Sequence, residues 1–128
     1  MALRLYLTES EADLIEEGNE DEVREAVESG ATLTDETVIY IKSDNTDLTY
    51  ENITIAMEET ETNGVVVEYA LDDGVGDPVT YADPLTVPDG AYTSFTPIHR
   101  RAVAANVTEA FKRTDIKHKV TADEYIAD

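Results

Sequence analysis

The chain opens with a short alternation of apolar and polar residues. Leu3, Leu5 and Leu7 are separated by Arg4 and Tyr6, and this period of two is typical of a β-strand with one buried face. The acidic residues that follow end the run. The opening therefore predicts a short strand, and we interpret it as part of an N-terminal arm that reaches a neighbouring molecule.

Capping chemistry predicts one or two short helices in the next segment. Thr8 and Glu11 have the spacing of a capping box, and Gly18 ends that stretch. A second helix is indicated by apolar residues at the i, i+3 and i+4 positions of one helix face, namely Val23, Ala26 and Val27. We therefore predict an N-terminal region over residues 1–36 that consists of the arm and a short helical segment.

From residue 37 onward the pattern becomes one of short strands separated by turns. A β-branched run over 38–42 is followed by the polar turn cluster 43–47, and apolar–polar alternation then marks strands over 53–57, 65–71, 85–87 and 116–122. A further strand is expected within 95–107, with a helix over 102–113 as the alternative. Strands at this spacing predict an all-β domain over residues 37–128, built as a sandwich or a barrel.

The net charge of the chain indicates the salinity of its environment. It carries 29 acids against 9 bases, for a formal net charge of −20. Such a surface repels itself at ordinary ionic strength, whereas the screening length falls to about 3 Å in 1 M salt. Because the acids are scattered rather than collected in a tail, the sequence predicts a halophilic protein. An acidic disordered protein, a calcium buffer and a nucleic-acid mimic are the alternatives, and DNA or RNA is an unfavourable partner.

The absence of several residue patterns narrows the function classes. The sequence has no cysteine, which excludes disulfides, zinc knuckles and thiol nucleophiles. It has no apolar run of the length that spans a bilayer, and its first apolar run is too short for a signal peptide. It also lacks the nucleophile elbow, the P-loop, the dinucleotide fingerprint and the zinc-protease helix motif. We therefore expect a non-enzymatic protein without a cofactor, made in the cytoplasm and not bound to a membrane.

Two sets of residues could still carry chemistry. His99 and His118 are the only histidines and could share a metal ion or an acid–base role, but without a third ligand we interpret them as ordinary surface or interface residues. Carboxylates on a glycine-containing loop suit Ca²⁺, and one such loop holds Asp72, Asp73 and Asp77. Their spacing differs from that of an EF-hand, so we predict a solvated acidic loop and no metal site.

The few basic residues are distributed unevenly. Residues 100–128 carry six bases and five acids, whereas residues 1–99 carry three bases and 24 acids. Two interpretations remain open: the bases pair with acidic neighbours in the same chain, or they form a docking face for another acidic protein. Arginine suits the second role because its planar fork binds carboxylates in a bidentate manner. The interface candidates are Leu3, Leu5, Leu7, Arg100, Arg101, Lys112, Arg113, Lys117 and Lys119.

One stretch of the chain resembles a known fold family. The run Val-Ile-Tyr-Ile-Lys-Ser-Asp-Asn-Thr-Asp-Leu-Thr-Tyr-Glu-Asn-Ile-Thr-Ile over 38–55 resembles the opening of Ig-like adhesion-type sandwiches, with a strand, a polar turn and an Asn-Ile-Thr strand. The stretch from 85 through Pro88-Asp89-Gly90 to a closing strand at 116–123 fits the same layout. The segment 97–101 departs from it, because two arginines interrupt the expected alternation. The resemblance implies an Ig-like antiparallel β-sandwich.

The N-terminal residues extend the resemblance to a functional class. With a Thr-Glu-x-Glu-Ala arm at residues 8–12, the chain is similar to small virion proteins of haloarchaeal tailed viruses. That similarity implies a capsid-associated or tail accessory subunit that contacts other virion proteins, as a homo-oligomer or as part of a larger assembly. A cellular halophilic binding or adhesion module that recognises a protein or glycan is the alternative.

Overall fold

A computed structural model describes residues 1–15, 21–26, 33–57, 65–104, 111–116 and 118–127, with the backbone alone for 21–26, 33, 65, 104 and 111–116. This part of the chain is mainly β, as predicted, and no helix in it is long and apolar enough to cross a membrane. Its strands are β1 (Leu3–Tyr6), β2 (Asp21–Ala26), β3 (Leu33–Ser43), β4 (Leu48–Met57), β5 (Val65–Leu71), β6 (Leu85–Val87), β7 (Thr96–Ala104), β8 (Phe111–Ile116) and β9 (His118–Ile126).

The strands form two larger antiparallel sheets and one two-stranded ribbon. The larger sheet has the order β1-β3-β7-β5, and the smaller has the order β6-β4-β9. Strands β2 and β8 pair with each other in the ribbon. Because neighbours in both sheets are not consecutive in the chain, most pairings join residues that are distant in sequence.

One hydrophobic core takes residues from both larger sheets. Side chains at alternate positions of each strand point inward, as the period of two requires. Burying each large aliphatic side chain contributes about 1.5–3 kcal/mol, so this shared core holds the two sheets together. Its buried members are Leu3, Leu5, Ile39, Ile41, Tyr50, Ile53, Ile55, Val67, Tyr69, Leu85, Val87, Ile98 and Ala102.

A bulge in β4 explains how both halves of that strand face the core. Tyr50 and Ile53 are both fully buried, although their spacing of three would place them on opposite faces of a regular strand. The register with β9 shifts between Glu51 and Thr54, and Asn52 has a positive φ of 52°. Asparagine tolerates this conformation better than most residues, and the extra residue restores the inward direction of Tyr50.

The predicted helices are not present in the described residues. Residues 21–26 form β2, so the helical interpretation of Val23, Ala26 and Val27 is wrong at the first two positions, and Val27 lies outside the described residues. The pairing of β2 with β8 overrides their helical spacing. The alternative helix over 102–113 is also wrong at the described residues, 102–104 and 111–113, because β7 extends to Ala104 and β8 begins at Phe111. A single 3₁₀ turn, Glu11–Asp13, remains near the N-terminus, and it is capped by Ser10 rather than Thr8.

The N-terminal strand is part of the larger sheet. Strand β1 pairs with β3 from Leu3 opposite Ser43 to Tyr6 opposite Tyr40. Leu3 and Leu5 point into the shared core, where they are 2% and 4% exposed. In this structure the segment predicted as an arm therefore folds onto its own chain, because its apolar face is buried there.

Candidate interaction surface

The two neighbouring arginines of the basic region lie on β7, a central strand of the larger sheet. Strand β7 pairs with β3 in an unbroken register from Leu33 opposite Ala104 to Ile41 opposite Thr96. The expected interruption at 97–101 is therefore absent. Because side chains alternate between faces, Arg100 points to the core side with its buried neighbour Ile98.

Arg100 is held inside the protein. It is 1% exposed, and its Nη1 donates a hydrogen bond of 3.0 Å to the backbone oxygen of Asp35. The Asp35 carboxylate lies 3.9 Å from the same nitrogen. A guanidinium in the interior requires such partners because its desolvation is costly. Arg100 therefore has almost no surface to offer another molecule, which favours the interpretation of intramolecular pairing.

Arg101 points to the opposite face, where it also contacts its own chain. Its Nη2 lies 2.9 Å from Oε1 of Glu68 on the neighbouring strand. Its guanidinium carbon stacks 4.0 Å from the ring centre of Tyr81, a favourable cation–π geometry. Burial raises the pKa of Tyr81, with the nearby Glu36 carboxylate as the next cause. The Arg101 side chain is about one-third exposed, and its Nε is buried without a hydrogen-bond partner in the described part of the chain.

His99 and the acidic loop form one connected group. Nε2 of His99 lies 2.8 Å from Oδ1 of Asp72, and this hydrogen bond lowers the pKa of Asp72, with a further contribution from the backbone N–H of Gly74. In the same loop the Asp73 carboxylate accepts hydrogen bonds from the N–H groups of Val75 and Asp77. The carboxylates of Asp72 and Asp73 are thus used in the loop's own structure.

The metal candidates Asp72, Asp73 and Asp77 do not form a ligand cluster. Over the ranges that the structure describes, no group of three His, Cys, Asp or Glu side chains could hold a metal ion. The loop instead resembles a series of turns in which short carboxylates bond backbone N–H groups nearby, a common behaviour of aspartate.

His118 lies apart from His99 and links the two sheets. Its Nδ1 lies 2.6 Å from the hydroxyl of Tyr69, and the two rings pack edge to face with their centres 5.3 Å apart. Tyr69 belongs to β5 of the larger sheet, whereas His118 belongs to β9 of the smaller one. The two histidines therefore contact different partners and do not build a common site.

The remaining interface candidates are scattered. Leu3 and Leu5 are in the core, and Leu7 is half-buried. Lys119 is exposed on β9, opposite Ala56. Lys112 and Arg113 lie in β8, whose side chains are not described, and Lys117 lies outside the described residues. The side chains that the structure describes therefore do not assemble into a single basic docking face.

The sequence did not predict which residues contact His118, Arg100 and Arg101. Tyr69, Tyr81, Asp35 and Glu68 contact them from strands or loops far along the chain, and only the sheet register brings them close. One signal was available, because Arg100 is two residues from both Ile98 and Ala102 and must share their face in any regular strand.

Comparison with known proteins identifies no relative of the chain. No protein family model, no curated protein and no solved structure matches the chain.

Proposed function

We propose that the chain is a non-enzymatic structural subunit of a haloarchaeal tailed-virus particle, as a capsid-associated or tail accessory protein. It folds as an Ig-like β-sandwich and acts through contacts with other virion proteins, either as a homo-oligomer or within a larger assembly. The assignment to this class of virus originates in the resemblance of the arm and sandwich motifs.

One observation carries the non-enzymatic part of the proposal. Within the part of the chain that the structure describes, the histidines and the two neighbouring arginines, His99, His118, Arg100 and Arg101, each contact a partner within the chain. These contacts connect strands and sheets, and they serve to fix the fold. A catalytic acid or base needs a cleft in which it can reach a substrate, whereas these side chains are largely enclosed by their structural partners.

The charge of the chain is consistent with function in concentrated salt. The chain has nine bases for its 29 acids, so even complete pairing of the bases leaves a net charge of −20. In such a solvent, apolar and hydrogen-bonded contacts with other subunits are retained, while exposed charges are screened. A β fold that acts through its surface is compatible with these conditions.

The decisive experiment is a protein inventory of purified particles. Virus grown on its halophilic host is banded on a salt gradient, and the fractions are analysed by quantitative mass spectrometry. We expect the chain to keep a constant ratio to the major capsid protein across the band. Its presence in uninfected cells, or a ratio that varies through the band like a host contaminant, would contradict the proposal and favour a cellular adhesion module.

A further inference from the structure

The outer edges of the two sheets are covered to different extents. Strand β1 is covered by the segment after it, where Ile15 donates to the Leu5 oxygen and Leu7 donates to Asp13. Strand β5 is covered by a loop, where Ala82 and Tyr69 exchange two hydrogen bonds and Val79 donates to Leu71. These added segments satisfy backbone groups that an edge strand otherwise leaves open to pairing.

The smaller sheet has one short edge and one long edge. Strand β6 has only three residues, whereas β9 has nine and pairs with β4 along one side. Among the described residues no strand pairs with the other side of β9. It is therefore the longest edge that the described part of the chain leaves open for strand addition.

We infer that a second copy of this chain pairs with β9 in antiparallel fashion, so that the smaller sheets of two molecules join edge to edge. A two-fold axis would pass beside Thr121. The contact would be isologous, with the same residues contributed by each copy. This inference goes beyond the proposed function, because it names the partner and the register and does not require a virion.

The charges of β9 select that register. Lys119, Thr121 and Asp123 are exposed and alternate with Val120 and Ala122, which are half-buried. Within the chain, one carboxylate oxygen of Asp123 accepts a hydrogen bond from Asn52 on β4, and the Thr121 hydroxyl bonds that of Thr54, so Asp123 would use its other oxygen for the pair. A two-fold axis at Thr121 places each Lys119 opposite Asp123 of the other copy, and Val120 opposite Ala122. Opposite charges directly across an antiparallel pair are stabilising, whereas like charges are destabilising.

Neighbouring registers lose this complementarity. An axis at Ala122 would place Lys119 opposite Tyr125 and Thr121 opposite Asp123, and an axis at Asp123 would place two carboxylates against each other. Registers between these positions would oppose an outer side chain with an inner one, which antiparallel pairing does not allow. The Thr121-centred register alone forms both Lys119–Asp123 pairs.

A groove beside the edge adds to the proposed contact. Its lining is part apolar and part polar and comes mainly from β1 and β9, namely Met1, Leu3, Arg4, Leu5, Leu14, Ile15, His118 and Val120. Leu3 and Leu5 are almost fully buried, whereas Met1 is 50% exposed. A second copy that covers Met1 would remove its apolar surface from water.

A single cysteine tests the contact directly because the chain has none of its own. In Thr121→Cys the two thiols would face each other across the axis at the Cα separation of about 4.5–5.5 Å that antiparallel partners have, which a disulfide can bridge. The matched control is Thr86→Cys, because Thr86 is also exposed and lies opposite Thr54 on the other edge of the same sheet. Oxidation in molar salt should convert Thr121→Cys to a covalent dimer at least about tenfold faster than Thr86→Cys.

Charge reversal tests the register independently. Lys119→Asp and Asp123→Lys should each raise the dimer dissociation constant by about threefold, measured by sedimentation over a concentration series at the lowest NaCl concentration at which the protein is folded, because molar salt weakens the charge pairs. The double variant, Lys119→Asp with Asp123→Lys, restores opposite charges and should recover wild-type pairing. Circular dichroism confirms that each variant is folded, so that a loss of pairing is not a loss of structure.

The outcomes separate this inference from the proposed function. Equal cross-linking of the two cysteine variants, or a double variant that pairs no better than the single ones, would overturn the β9 contact and leave the particle assignment untouched. A dimer of the expected register in a protein absent from particles would overturn the particle assignment alone.

Discussion

Strands β7 and β9 both carry basic residues of the same 20-residue region, yet the fold uses them in opposite ways. On β7, Arg100 lies between strands on either side and donates a hydrogen bond to the backbone oxygen of Asp35. On β9, Lys119 is exposed on an edge strand. The sheet face to which a side chain points therefore decides whether a cation forms an internal pair or stays at the surface, because Arg101 on the same strand β7 is about one-third exposed.

Of the changes considered, lowering the salt concentration should have the largest effect on the stability of the fold. With a net charge of −20, we expect cooperative unfolding when NaCl falls below about 1 M, because repulsion between carboxylates is no longer screened. Circular dichroism along a NaCl series would measure the loss of structure. Hydrogen exchange of the monomer in high salt should be slow for β7 and faster for the outer side of β9, because β7 is paired on both sides and β9 on one.

Two outcomes would contradict this prediction. A fold that persists at low salt with an unchanged melting temperature would remove the charge argument. Equal protection of β7 and β9 in the isolated protein at low concentration would remove the difference between central and edge strands.

Arg100 on β7 and Lys119 on β9 should contribute very differently to the free energy of unfolding. Arg100→Met should lower the free energy of unfolding by about 3–5 kcal/mol, because it leaves the partners of a buried cation without their counterpart. Lys119→Met, the matched control on the exposed edge, should change the same quantity by less than about 0.5 kcal/mol in the monomer. Urea unfolding in molar salt gives both values. Similar effects at the two positions would show that burial of Arg100 does not distinguish them.

The smallest expected effect is the pH dependence of stability that comes from the hydrogen bond between His99 on β7 and Asp72. The bond with His99 lowers the pKa of Asp72 below its ordinary value, so the ionised carboxylate stabilises the folded state above about pH 4. That stabilisation is lost as the pH falls through the folded-state pKa. Asp72→Asn should therefore be less stable than wild type at pH 7, and the difference should narrow at about pH 3.

A matched variant separates this effect from general charge removal. Asp89→Asn removes an exposed carboxylate from a turn and should not show the same narrowing between neutral and acidic pH. Thermal unfolding at several pH values would measure both variants, and a constant difference between Asp72→Asn and wild type at all pH values would contradict the role of the His99 bond.

The strands were predictable where alternation and turn residues coincide. Ile53, Ile55 and Met57, and likewise Leu85 and Val87, lie in the strands that their spacing predicts, because one face of each strand is buried. The segment 21–26 was not predictable in this way, since its helical spacing is overridden by pairing with a strand some 90 residues later. Local spacing carries no information about such a distant partner.

The candidate site was predictable only in its residue types. The clustering of arginines in the sequence is real, but the closeness of Arg101 to Glu68 and Tyr81 depends on sheet register and on a loop that returns along β5. The inward direction of Arg100 follows from its spacing to Ile98 and Ala102, while the identity of its partner Asp35 does not. Interactions across a sheet depend on topology, and composition alone does not determine topology.

The coverage of β5 by Val79 and Ala82 limits how many molecules can associate through their strands. A chain with two open edges would polymerise, because each added molecule would present a fresh edge to the next one. Here one side is already capped by the chain itself, and β6 offers only three residues on the other sheet. Association through β9 would therefore end at a closed pair and would not grow into filaments.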